Sequence, residues 1–386
     1  MKKNDFKIQK VGIITMHKVH NFGSHLQAYA LQESIKLMNK EVCLIDYKYP
    51  NKTHIKRNDG AFFSVIKKII FFPYYVRNGF ITFKQKRKFI KFENSFFNLT
   101  RLFKSPKEIE NAVFDIDLYL TGSDQVWNPR FACGDSVFML SFVKSPYKKI
   151  AYGPSLAVSK ISTEYYSDYK EYLSKYDRIG VRDNNTKKVL EDLLGYEVVK
   201  VVDPVFLLSK NYWEKLTLKV KKSYPDKFIF IFILTYSFDP YPEVIDVINK
   251  VKEKYKLPIV FFNVSLKRKI QVKPEINLLY ADVEDFLWLI KNATFIITTS
   301  FHVTAFSIIF EKQFISLTNT KEKDSRIIDL CDDLSISNYS TLKDFNFEKI
   351  SNINYSKVTP NVEKMVEFSK NFLKCSLGVE NEFIRD

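Results

Sequence analysis

FIFIFILTY, residues 228–236, opens with seven aliphatic and aromatic residues and carries no charge. A strand with one wet face alternates apolar and polar residues. One that is apolar at every position is covered on both faces, as a central strand of a parallel sheet is. Downstream the chain alternates. PEVIDVINKVKEKY has helical periodicity, PIVFFNV reads as a strand, VEDFLWLIKNA as a helix and TFIITTS as a strand. HVTAFSIIFEK, QFISLT and DSRIIDLCDDL continue as helix, strand and helix. Upstream the same alternation has already run once. It goes from the strand VGIITM (11–16) through the helix LQAYALQESIKLMNK (26–40), VCLIDY (42–47), the helix-like SPKEIENAV (105–113), DLYL and KKIAYGPSL (148–156). It ends with RIGVRD, the helix NTKKVLEDLLG and VVKVVDPVFLL. Alternating strands and helices are the signature of α/β architecture. A pattern that runs, stops and restarts predicts two doubly wound, Rossmann-like domains facing a cleft. The boundary falls near 203–222. This divides the chain into 1–205, 206–350 and a C-terminal helical segment, 351–386.

Composition sets the frame. The chain has 386 residues, 46% of them hydrophobic, enough for a sizeable core. No stretch approaches the ~20 apolar residues of a membrane span, and MKKNDFKIQKVGIITM reads as a first strand, not a signal peptide. Cys43, Cys133, Cys331 and Cys375 are scattered without a CxxC, as expected of reduced thiols in the cytoplasm. The net charge of +16 favours an anionic partner. The excess is concentrated at about 61–104, where Lys67, Lys68, Arg77, Lys84, Lys86, Arg87, Lys88, Lys91, Arg101 and Lys104 interleave with aromatics, and Glu93 is the sole acid from 67 to 104. Two readings stand: a helical hairpin with a packed aromatic face and solvated lysines, or a surface that rests on an anionic membrane. No nucleic-acid motif accompanies the segment.

Ligands of open α/β sheets sit outside the C-terminal ends of the strands, and five polar loops fall there. The first is HNFGSHLQAYALQ (20–32), where Gly23 permits close backbone approach and the helix start offers free N–H groups to an anion. Asn21 is read as a ligand contact or a helix cap, and Gln27 lies one turn further on. In TGSDQVWNPRF (121–131), Gly122 and Ser123 make a tight turn and Asp124 is a general base or a cap. Trp127 is a stacking platform or a buried anchor. In GVRD (180–183), Arg182 suits a carboxylate or phosphate, or else pairs with Asp183 or Asp203. In TTSFHVTAF (298–306), Ser300 starts a helix and His302 can exchange a proton near neutral pH. In KEKDSRIIDL, Arg326 begins a helix, with Lys321 and Lys323 adding to the field. No HExxH, P-loop, GxGxxG or GxSxG is present, so the expected metal and cofactor complement is none.

Taken in order, NFGSHLQAYAL, LTGSDQVWNP, KIAYGPS, GVRD, VVDPVFLL with Trp213, and TSFHVTAF with Arg326 after it make the chain resemble the polysaccharide pyruvyl transferases. Val303 stands where such sequences commonly carry Gly, and His25 where a small or aliphatic residue is usual. The resemblance implies a GT-B-like fold and transfer of pyruvyl from phosphoenolpyruvate to a sugar acceptor, free or lipid-diphosphate-linked, to form a ketal. It implies a donor region around His302 and Arg326 with Arg182 across the cleft. In that frame His302 is the acid and Asp124 the base, and a cytoplasmic enzyme peripheral to the inner membrane face is expected. Two rivals remain open: a sugar-nucleotide glycosyltransferase of the same fold, with Glu311 gripping a ribose, and a non-catalytic binding protein.

Overall fold

A computed structural model of the chain describes residues 8–48, 72–132, 134–220, 223–235, 238–263, 272–319, 325–346, 348 and 350–379. Two six-stranded, wholly parallel sheets carry the fold. The first is ordered β2-β1-β3-β4-β5-β6, from β1 (Lys10–Ile14), β2 (Glu41–Leu44), β3 (Leu118–Thr121), β4 (Lys148–Tyr152), β5 (Arg178–Val181) and β6 (Val199–Lys200). The second is ordered β12-β11-β10-β7-β8-β9, from β7 (Ile229–Phe232), β8 (Ile259–Phe262), β9 (Ile276–Leu278), β10 (Phe295–Thr298), β11 (Gln313–Thr318) and β12 (Tyr339–Thr341). Residues 229–232 of the uncharged run form β7. It is buried at every position and flanked on both sides by parallel partners.

Each sheet reverses its winding once. The chain leaves β1 for β2 and comes back to the other side of β1 as β3; it leaves β7 for β8 and comes back as β10. A crevice opens at such a switch point. Helix α1 (Phe22–Lys36) follows β1 and the 122–128 loop follows β3, while the helix Phe301–Ile309 follows β10. The two crevices therefore face one another.

Several boundaries move from their expected places. Helix α1 starts at Phe22, just ahead of the start expected near Gly23 or Ser24, because the Asn21 side chain accepts a hydrogen bond from the Gly23 N–H and caps the first turn. Strands β9 and β12 were not anticipated; at three residues each they are too short for periodicity to register. Within the described residues the basic aromatic segment contributes one long helix, α2 (Phe72–Phe96); residues 61–71, on which the hairpin reading also depends, lie outside the described residues.

Three features bind the halves. Phe22, the first residue of α1, stacks on Phe286 of the second domain with ring centroids 4.2 Å apart and meets Phe262 edge-on at 5.4 Å. Helix α2 spans the seam: Gln85 exchanges two hydrogen bonds with the Ala281 backbone and Lys88 pairs with Asp282. The last helix, Tyr355–Ser376, returns to the first sheet. Its Phe372 fills the slot beside Gly180, where a Cβ would lie 2.6 Å from the ring, and Ser369 Oγ accepts from the Val202 N–H at 2.9 Å. Among the described residues no helix is long and apolar enough to cross a membrane.

A candidate active site where the two switch points meet

The centre of the site is a buried ion pair. Arg182 at the end of β5 donates from Nη1 to Asp203 Oδ2 at 2.5 Å. Asp203 lies past β6, in the VVDPVFLL turn, and its other oxygen accepts from the Val205 N–H at 3.1 Å. Of the two acids adjacent in the sequence reading, Asp203 is the partner of Arg182. Asp183 instead caps the helix Asn184–Leu194, accepting from the Thr186 N–H. Ser123 joins the pair, donating to the Gly153 carbonyl at 2.9 Å and lying within 3.5 Å of Arg182 Nη1. The guanidinium rests on the Phe301 ring, 4.8 Å from its centroid.

Asp124 is held in an unusual backbone conformation. Its φ is 80°, a left-handed value that costs a non-glycine residue roughly 1–3 kcal/mol. Several contacts fix it there. The Gln125 N–H donates to Oδ1 at 2.9 Å, the Ser24 hydroxyl donates to Oδ2 at 2.5 Å, and the Asp124 carbonyl accepts from the Ser155 N–H. Arg182 Nη2 stands 3.9 Å from Oδ1. Burial pushes this carboxyl up, but Arg182, His302, the Ser24 hydroxyl and Arg326 outweigh it, so Asp124 stays below the usual carboxylate range. It is ionised at neutral pH.

His302 sits in the first turn of Phe301–Ile309, capped by Ser300, whose hydroxyl accepts from the Val303 N–H. Burial lowers its pKa; Asp203 and Asp124 oppose this, Arg182 and Arg326 add to it, and the balance keeps the imidazole neutral near pH 7. Its Nε2 is 3.7 Å from Asp203 Oδ2, outside hydrogen-bond range. Its other face presses on Gly23. A Cβ built there would fall 2.0 Å from Nδ1. Arg326 approaches from the helix Ser325–Asp333 and, with the Gln125 amide oxygen turned toward it, donates from both Nη atoms at 3.1 Å.

The structure brings Asp124, Arg182, Ser123, His302, Ser300 and Arg326 together, and adds Asp203 and Ser24. Four others make contacts within the fold. Asn21 spends its side-chain oxygen on the cap. Gln27 is fully buried and donates to Thr15 Oγ1 and the Ser24 carbonyl, so it pins α1 to β1. Gly122 packs on Thr15 and Ile13, and Gly23 makes its close approach to His302, not to a ligand. Trp127 is a buried anchor, its indole N–H donating to the Phe138 carbonyl. His25 is structural, bonded to Glu93 at 2.8 Å and stacked on Phe89, while His20 is exposed. Lys321 and Lys323 lie outside the described residues. Glu311 sits past the far end of the His302 helix, paired with Lys210, away from the cleft.

A cleft of about 860 Å³ opens beside Arg182, Phe301 and Arg326 and runs between the helix Ser325–Asp333 and the last helix. Of the ten side-chain polar atoms among the described residues that are buried without a hydrogen-bond partner, three lie here: Arg182 Nε and Nη2 and His302 Nε2. Unpaired buried donors are costly, and a site keeps them when a ligand completes them.

The family model for polysaccharide pyruvyl transferase matches residues 21–321. No curated protein sequence is significantly similar to the chain. Among solved structures the chain is similar to Staphylococcus aureus MnaA solved with UDP, at TM-score 0.54 and 12% identity over 98% of this chain and 99% of that one. It is also similar to the Neisseria meningitidis UDP-GlcNAc 2-epimerase bound to UDP-GlcNAc, at TM-score 0.50 and 12% identity over 95% and 100%. These likenesses establish the two-domain GT-B fold.

Proposed function

The chain belongs to the polysaccharide pyruvyl transferase family, and from that membership we propose that it moves the pyruvyl group of phosphoenolpyruvate onto sugar hydroxyls, forming a pyruvate ketal on a surface polysaccharide or its lipid-linked precursor. The observation that carries the reading is the set of unpaired buried donors on Arg182, next to His302 and Arg326. Phosphoenolpyruvate is a small ligand with a carboxylate and a phosphate, and two guanidinium forks suit both.

The reaction balances as follows. A proton is added to C3 of the enol, making a methyl group and leaving C2 cationic. A sugar hydroxyl attacks C2, the C2–O bond to phosphate breaks, and a second hydroxyl closes the ketal. One of the two hydroxyl protons replaces that consumed at C3; the other leaves with phosphate. His302 is the donor to C3 and Asp124 the first acceptor from the sugar.

The charges of the site's own residues constrain this scheme. Arg182 and Arg326 offset Asp124 and Asp203, and His302 is neutral. A donor anion adds net negative charge beside His302, which favours its protonation. Binding therefore takes up a proton. A pKa raised on binding contributes affinity that is full below the free-site pKa, itself under 6.5, and is lost as pH rises through the bound-site value. Affinity for phosphoenolpyruvate is expected to fall with rising pH by up to about tenfold per unit. Calorimetry in buffers of different ionisation enthalpy should register the uptake, and His302→Gln should abolish it. Uptake unchanged in His302→Gln would assign the proton elsewhere.

The test of the reading is phosphate release from phosphoenolpyruvate with and without acceptor glycosides. Acceptor-dependent release is expected. Thermal stabilisation by UDP-sugars and not by phosphoenolpyruvate would favour a sugar-nucleotide enzyme, although Glu311, the residue put forward to hold its ribose, is committed to Lys210. Stabilisation by neither would favour a binding protein.

A further inference from the structure

Helix α2 carries two different basic faces. The inner one is already engaged. Lys84 reaches the Tyr280 hydroxyl, Gln85 the Ala281 backbone and Lys88 the Asp282 carboxylate, while Phe89, Phe92 and Glu93 are buried against the first domain. Glu93, the lone acid of the segment, points inward to His25 and Lys18. The outer face carries Phe80, Phe83, Lys86, Arg87, Ile90 and Lys91, and no acid. Phe80 and Phe83 are each 56% exposed and Ile90 38%. Their spacings of three and seven keep them on one stripe of the helix. Cations lie over the exposed rings: Lys84 Nζ is 4.4 Å from the Phe80 centroid and the Arg87 guanidinium 5.8 Å from that of Phe83.

We propose that the outer face of α2 rests on an anionic lipid bilayer. Exposed aromatics in a row are costly in water and gain at the acyl–headgroup boundary, and long cationic side chains beside them reach the headgroup phosphates. The sign of charge is uniform, as an anionic surface requires. No nucleic-acid recognition motif accompanies the segment, which makes nucleic acid a poor match. The contact is independent of the chemistry in the cleft, and it places α2 as a foot whose inner side touches both domains.

The experiment is co-sedimentation of the full chain with phosphatidylcholine vesicles and with vesicles that also contain phosphatidylglycerol. Binding to the second alone, weakened by salt, is expected. Each basic residue at such a surface contributes about fivefold, so K86A/R87A/K91A should weaken binding about a hundredfold. F80S/F83S should weaken it as well, whereas K88A, whose ammonium is held by Asp282, should leave it nearly unchanged. All three variants should retain the wild-type circular dichroism spectrum. Failure of the wild-type chain to bind anionic vesicles, equal losses in K88A and the triple variant, or binding of single-stranded DNA in place of vesicles would each overturn the proposal.

Discussion

Gly23→Ala is expected to lower turnover about a hundredfold and leave the fold intact. A methyl group at this position would lie 2.0 Å from His302 Nδ1, against an ordinary contact that begins at 3.4 Å. One of the two must retreat by more than an ångström. The helix cannot yield easily, since the preceding residue, Phe22, is stacked on Phe286. The backbone itself accepts alanine, for Gly23 is helical and its φ is not positive. The strain therefore falls on the imidazole, and a displacement of that size at a reacting group costs about two orders of magnitude. Phosphate release from phosphoenolpyruvate measures it. In a His302→Ala background the same substitution should cost nothing more, because the ring it displaces is gone. Additive losses in the double variant would show that Gly23 acts elsewhere.

Arg182→Ala is expected to remove activity and to destabilise the protein by about 3–5 kcal/mol, since it leaves Asp203 charged and fully buried with its main partner gone. Asp203→Ala should destabilise by a similar amount for the mirrored reason. The double substitution Arg182→Met/Asp203→Leu removes both charges and refills the space. It should recover most of the stability, because a buried ion pair offers little over apolar side chains of like volume, and it should recover no activity. Denaturant midpoints with phosphate-release rates separate the two effects. A double variant that regained turnover would show that the pair is structural only.

The division of this outcome between fold and site has physical causes. Period-two and period-3.6 patterns are local, so the uncharged run at 228–236 and the helices around it were legible one segment at a time. The five loops were found because parallel strands end where ligands bind. What the sequence withheld is long-range. The Ser24 hydroxyl on Asp124 joins residues 100 positions apart, and nothing in FGSH marks it. Asp203 appeared only as a candidate partner of Arg182. Its second role, beside His302, exists because two separately coded sheets meet. Asn21, Gly23 and Gln27 have the composition of a ligand loop, but the Asn21 oxygen makes a cap, Gly23 a ring contact and the Gln27 amide N–H groups a strand–helix tie. The basic segment likewise gave its composition and hid its two faces: Lys84 and Lys88 look outward in sequence and are bound inward in structure.

The return of the last helix has a consequence for biosynthesis. The first sheet leaves the ribosome before the second, yet the cover over β5 and the acceptor for the Val202 N–H belong to Phe372 and Ser369, the latter made 167 residues after Val202. Domains usually mature in order of emergence. Here the first domain must wait, with Gly180 and its neighbours uncovered, until the second domain and the helix that follows it are out. A nascent chain stalled before residue 369 should be open to proteolysis in its first domain, and it should become resistant once the helix is free of the exit tunnel.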